Sequence, residues 1–195
     1  VYNKGIMDMI QIGREKAVSL LQSGEVIVAP TDTIYGLLAD ATNAAAVKKI
    51  FDIKGRDPQK PLGVFVKDMD MVKEFAEISE QQEEYLKSVW PGKVTVVLKS
   101  RGSLPKELGN TDTIGIRVPD NELLQSFMSQ LGSPLAQTSV NISGEPHLSD
   151  PEEIIALFEE EEHAPAGIVD AGMLPESAPS RVVDISQGEL TIVRG

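Results

Sequence analysis

Three cations fall within seven residues in Lys54-Gly55-Arg56-Asp57-Pro58-Gln59-Lys60, in a chain whose formal net charge is -12. A cluster of that kind needs an anion to face. Pro58 and Pro61 restrict the backbone around it, and loops held between rigid elements are where binding residues concentrate. Two other clusters are rich in neutral donors. Thr31-Asp32-Thr33 follows the strand-like run Glu25 to Ala29, which ends at Pro30, and a strand end is a common place for ligand contacts in α/β proteins. Thr138-Ser139-Val140-Asn141-Ile142-Ser143-Gly144 follows another short run, and its hydroxyls, amide and flexible glycine can wrap a phosphate or a ribose. Arg117, within Ile114-Gly115-Ile116-Arg117-Val118, points away from its apolar neighbours if the segment is a strand. Each cluster also has an ordinary reading: a solvated turn, a serine capping a turn, an exposed arginine on a strand.

The elements that must hold these residues can be read from periodicity. Ile10 to Gln22 carries Ala17, Val18 and Leu21 at helical spacing, with Gly24 as the stop. Val47, Ile50 and Phe51 form the stripe of a helix running into the basic loop, and Gly63-Val64-Phe65-Val66 reads as the buried strand beyond it. Met69 to Phe75 and Glu80 to Val89 predict helices, the second opened by Ser79 with Gln82 three residues on. Thr95 to Lys99, Thr113 to Val118 and Leu135 to Thr138 predict strands, with a helix from Asn121 to Leu131 between the last two. Asp150-Pro151-Glu152-Glu153 is a helix start. Arg181 to Ile185 and Leu190 to Val193 read as a hairpin turning at Gln187-Gly188. Without strict alternation of strand and helix, the expected fold is α/β: one domain over residues 1–195, a twisted mixed sheet with flanking helices.

Composition narrows the function. No cysteine means no disulfide, no thiolate metal site and no cysteine nucleophile, and His147 and His163 are the only histidines. No metal site is expected in the protein itself. No apolar run approaches the roughly 18 residues that span a bilayer, and the N-terminus shows no secretory pattern, so a cytoplasmic protein without membrane contact is expected. The acidity opposes nonspecific nucleic-acid binding, which depends on cations; direct RNA binding is expected to be weak or absent. The run Glu159-Glu160-Glu161-Glu162 reads as a solvated helix end.

Taken together, Pro30-Thr31-Asp32-Thr33-Ile34-Tyr35-Gly36-Leu37, Lys54-Gly55-Arg56 with Lys60-Pro61-Leu62, Ile116-Arg117-Val118-Pro119, the run Thr138 to Gly144, and Pro179-Ser180-Arg181-Val182-Val183-Asp184 resemble the YrdC/Sua5 family, in that order and at its spacing. The resemblance spans nearly the whole chain and is to the single-domain form, without the extension of longer members. It implies an α/β sheet curved around a basic cleft, and L-threonylcarbamoyladenylate synthase activity. Such enzymes form threonylcarbamoyl-AMP and pyrophosphate from L-threonine, bicarbonate and ATP, for a partner complex that modifies adenosine 37 of tRNAs reading ANN codons. By the same resemblance Thr33, Arg117, Thr138 and Ser180, with Thr31 beside them, fall on the threonine and carbamate side. Lys54, Arg56, Lys60, Thr113, Ser139, Asn141, Ser143 and Arg194 fall on the nucleotide side. Two other roles stay open: a non-catalytic RNA-binding or ribosome-maturation protein, and a nucleotide-binding paralogue of the fold.

The residue inventory suits that chemistry. A carbamate oxygen attacking the α-phosphorus of ATP needs charge neutralisation and in-line positioning rather than a protein nucleophile. Lys54 and Arg56 are the expected catalytic cations. Arg117 offers a planar fork for a carboxylate or carbamate, and magnesium would arrive held by the triphosphate. Phe65, His147 and Arg181 depart from the family pattern, where histidine, serine and threonine respectively are frequent. Phe65 is expected to line the threonine methyl. Gly102 to Asn110 and Gly172 to Pro179 are candidate closing loops.

Overall fold

The computed structural model describes residues 10–159 and 161–195. In chain order these form β1 (Ile10–Gln11), α1 (Arg14–Gln22), β2 (Ile27–Pro30), β3 (Tyr35–Asp40), α2 (Ala44–Lys54), β4 (Gly63–Phe65), α3 (Met69–Phe75), β5 (Ala76–Glu77) and α4 (Glu80–Val89). There follow β6 (Val94–Ser100), a 3-10 turn at Lys106–Leu108, β7 (Thr113–Arg117), α5 (Glu122–Leu131), β8 (Leu135–Ser139), α6 (Pro151–Phe158), β9 (Gly167–Ile168), β10 (Arg181–Asp184) and β11 (Thr191–Arg194). Local signals fix most ends. Asn43, Asp68, Ser79, Asn121 and Asp150 cap α2 to α6 by accepting backbone N–H groups, and Ser79 with Gln82 completes a capping box. Gly55, at φ 57, ends α2 in the left-handed conformation that glycine adopts without strain.

All eleven strands join one mixed sheet in the order β1-β9-β2-β3-β8-β4-β7-β6-β10-β11, with β5 also paired to β6. The pairs β1/β9, β9/β2, β4/β7 and β6/β10 are parallel and the rest antiparallel. Helices flank both faces. One apolar cluster gathers Val28, Leu37, Ala39, Val64, Val96 and Ile116 beneath residues of α2, α3, α4 and α6. The other puts Ala17, Val18 and Leu21 of α1 and Leu124, Phe127 and Met128 of α5 against Ile27, Ala29, Leu38, Phe65 and Leu135. Successive strand residues take opposite faces, so Leu37 and Leu38 are both buried, on different sides.

One expectation is corrected. The first helix begins at Arg14, not Ile10, because Ile10 and Gln11 pair with Gly167 and Ile168 as strand. The β2 strand ends at Pro30 as expected, with Pro30 itself its last residue, opposite Tyr35, where a missing N–H is tolerated. Tyr35 to Asp40, to which no element was assigned from sequence, form β3, hydrogen-bonded to β2 and β8. Of the acidic run, Glu160 lies outside the described residues, as does the N-terminal stretch before Ile10. No helix among the described residues is long and apolar enough to cross a membrane.

Candidate functional site

α1 and α5 cover only part of their face of the sheet. Beside them the same face opens into a cleft of about 440 Å³, within the ordinary range for small-molecule sites. The strand register lays its floor in rows. One row runs Gln137, Gly63, Gly115, Val97 across β8, β4, β7 and β6. Gly63 and Gly115 lie side by side without side chains, and Gly36 on β3 does the same opposite Ser139. A Cβ at Gly36 would stand 3.2 Å from the Thr138 carbonyl oxygen, and one at Gly63 would collide with the Gln137 amide. Of the six polar side chains buried among the described residues, Thr33, Thr95, Arg117, Asn141 and Ser180 line this cleft, and the sixth, Lys54, supports its wall. Burying polar groups costs free energy unless they are paired, so their concentration here marks the site.

Lys54 is 2% exposed and is not itself in the cleft lining. Its ammonium donates to Ser139 O at 2.7 Å, Asn141 O at 3.1 Å and Asn141 Oδ1 at 2.5 Å. Asn141 completes the frame: Nδ2 donates to Ile142 O and Glu145 O, and Oδ1 also accepts from Ser139 Oγ at 2.7 Å. Both side chains therefore hold the Ser139–Glu145 loop in shape. Ser143 belongs to the same frame, its N–H donating to Lys54 O, and does not line the cleft. Burial, with the Arg56 charge adding to it, pushes the Lys54 ammonium down to about 8.

Arg56 does reach the cleft. Its Nε and Nη2 donate to the carbonyls of Lys60 and Pro61 at 3.0 Å each, folding the basic loop back on itself. Burial lowers its pKa, with Asp57 opposing. Lys60 is exposed and outside the lining. At the opposite end Arg194 donates to Ser180 O at 2.6 Å, and Ser180 Oγ lies 2.9 Å from Thr95 Oγ1. Thr113 accepts from the Asn110 amide on the rim at 2.9 Å, and Thr138 also lines the space. Of the candidate closing loops, Gly102, Leu104, Pro105, Leu108 and Asn110 border the cleft from one, and Pro179 from the other.

Arg117 is buried, not an exposed strand residue. Its Nη2 pairs with Asp32, its Nε donates to Gly92 O at 2.9 Å, and Phe65 lies under the guanidinium at 5.4 Å. Phe65 is 1% exposed and supports the arginine rather than lining the cleft. His147 lines the rim; Arg181 does not. Thr31 closes the β2–β3 turn, its Oγ1 accepting from the N–H of Thr33 and Ile34 and donating to Ile34 O. Asp32, Thr95 and Gln137 were not singled out from sequence. The signal that could have found Asp32 is that an arginine buried on a sheet needs a counter-charge. No group of three acidic, histidine or cysteine side chains among the described residues could hold a metal ion. The cleft donors are mainly hydroxyls and guanidinium groups, a set suited to phosphate and carboxylate oxygens rather than to caging a divalent cation.

The chain is 35% identical over 160 residues to the threonylcarbamoyl-AMP synthase of Bacillus subtilis, covering 80% of this chain and 45% of that one. It superposes with a TM-score of 0.85 on P. abyssi Sua5 complexed with L-threonine, at 30% identity, over 94% of this chain and 55% of that one. On E. coli YciO the TM-score is 0.82 at 27% identity, over 95% of this chain and 91% of that one. The chain thus spans about half the length of the first two and nearly all of the third. The family profile described as Telomere recombination, covering Sua5, YciO and YrdC proteins, matches residues 19–195, and the chain belongs to that family.

Proposed function

We propose that this protein is an L-threonylcarbamoyladenylate synthase. The observation that carries the reading is convergence: residues from all five motifs line one cleft, in a chain similar over 94% of its length to a Sua5 complexed with L-threonine. The amino acid would lie at the end of the cleft formed by Thr33, Arg117, Thr138 and Ser180, with its carboxylate toward Arg117. The triphosphate would lie toward Arg56 and Ser139, with Lys54 and Asn141 acting through the loop they shape and Thr113 on the wall; Arg194, expected on the nucleotide side, instead stands beside Ser180. Between the two ends is the bare floor of Gly63 and Gly115, room for the reacting groups to meet.

In the reaction, the threonine amine condenses with bicarbonate to give a carbamate and water, and a carbamate oxygen then forms a bond to the α-phosphorus as the bond to pyrophosphate breaks. Pyrophosphate departs with its charge. The protein's part is to neutralise and align, the main requirement of phosphoryl and nucleotidyl transfer. Magnesium, carried on the triphosphate, would neutralise further charge there. The mixed anhydride hydrolyses readily, so we place its consumer, a transferase complex acting on tRNA, in the same compartment, the cytoplasm. The test is incubation with ATP, magnesium, bicarbonate and L-threonine, with the adenylate detected by mass. Product requiring all components is expected. ATP binding without product would instead identify a nucleotide-binding paralogue.

A further inference from the structure

Arg117 is held on three sides by the protein. Nε donates to Gly92 O, Nη2 donates to Asp32 Oδ1, and the Phe65 ring supports the flat face. Asp32 is itself anchored, its Oδ2 accepting from the Asp120 N–H at 3.2 Å, and its side chain is only 7% exposed. Of the three guanidinium nitrogens, Nη1 alone has no hydrogen-bond partner among the described residues. Since no buried side-chain nitrogen or oxygen among the described residues lacks one, Nη1 opens to the cleft that Arg117 lines. Asp32 sits between Thr31, whose hydroxyl closes the turn, and Thr33, which lines the cleft. The direction of this carboxylate is therefore fixed by the same turn that presents Thr33.

We propose that Asp32 is a positioning residue of the amino-acid subsite: it fixes the Arg117 guanidinium and cancels its charge, leaving one N–H edge to read a carboxylate by direction rather than by net attraction. This rests on the synthase reading for the identity of the amino acid, not for the pairing itself. A carboxylate entering the cleft meets an ion pair of net charge zero. Anions that offer charge alone gain little there; a ligand also held by the neighbouring hydroxyls gains most. Removing Asp32 leaves a buried cation without compensation, a costly state that any small anion relieves. Loss of Asp32 should thus tighten the binding of simple carboxylates, the reverse of what general damage to the site would do.

Acetate and L-threonine, titrated calorimetrically into the full chain, test this. In Asp32→Asn and Asp32→Ala, acetate should bind at least about tenfold more tightly than in wild type, and the preference for threonine over acetate should fall by as much. In the Arg117→Gln background the Asp32→Asn change should alter acetate binding by less than about twofold, because Asp32 acts only through Arg117. Should Asp32→Asn fail to fold in acetate-free buffer, acetate must restore it, and the Asp32→Asn/Arg117→Gln double variant must fold without acetate. Acetate affinity that is unchanged or weaker in Asp32→Asn, or equally altered without Arg117, overturns the proposal. A wild type that neither binds threonine nor forms product overturns the synthase reading instead, while the acetate comparison still decides the role of Asp32.

Discussion

Lys54 places all three of its protons on the protein, and that arrangement has a measurable consequence. Its folded-state pKa of about 8 lies below the ordinary 10.5. As pH rises between these values the folded form releases its proton before the unfolded form does, so this group alone makes the fold more stable with rising pH. The neutral amine nevertheless donates one bond fewer to the Ser139–Asn141 loop. We therefore expect ATP affinity to weaken from about pH 8 to about pH 9.5 while thermal stability does not fall through this group, with Lys54→Met weak and pH-independent. An ATP affinity flat over that range in wild type would contradict the assignment. The sequence marked Lys54, Arg56, Ser139 and Asn141 as belonging together, and they are neighbours in space. It did not separate those facing the ligand from those spent on the frame. A lysine's spacing says nothing about which oxygens surround its ammonium, and the Asp32–Arg117 pair joins residues 85 apart in the chain.

At the scale of elements, function depends on what strands leave uncovered. Gly115 sits within β7 in ordinary strand conformation, and a Cβ there would meet Thr95 Cγ2 at 3.5 Å, a normal contact. Glycine within a strand costs roughly 0.5–1 kcal/mol against alanine. Gly115→Ala should therefore keep or raise the thermal midpoint, yet put a methyl group on the floor where we propose that the ligands meet and weaken binding by about 1–3 kcal/mol, as overpacking does. Calorimetric titration and a melting curve check both halves; a variant that binds normally would show that the floor is not occupied. Helices α3 and α4 and the strands β6 and β7 were legible because caps and β-branched runs mark them. β3 was not, because its apolar residues face two covered sides and its first residues resemble a continuation of the Thr31–Ile34 turn. β1, β5 and β9, two residues each, carry no periodic signal at all.

For the whole molecule, the contrast between an acidic chain and a cationic cleft is the main electrostatic fact. The net charge is -12, yet Arg56 and Arg194 line one space together with Arg117, whose charge Asp32 balances, and Glu145 is the sole carboxylate among the lining residues. Low-dielectric walls focus such a field on an entering anion. A mixed sheet with flanking helices could be inferred from the mixture of periods, whereas the cleft followed only from the family resemblance. It arises where α1 and α5 stop covering their face, a consequence of packing that no local pattern encodes. The central claim is that amino acid and nucleotide react directly across that floor. Threonine- and bicarbonate-dependent exchange of labelled pyrophosphate into ATP tests it, because exchange requires the carbamate to attack the α-phosphorus reversibly in the same cleft. Exchange that appears only when both threonine and bicarbonate are present is the expected result. Exchange that ignores threonine, or none at all with every component present, would contradict the account.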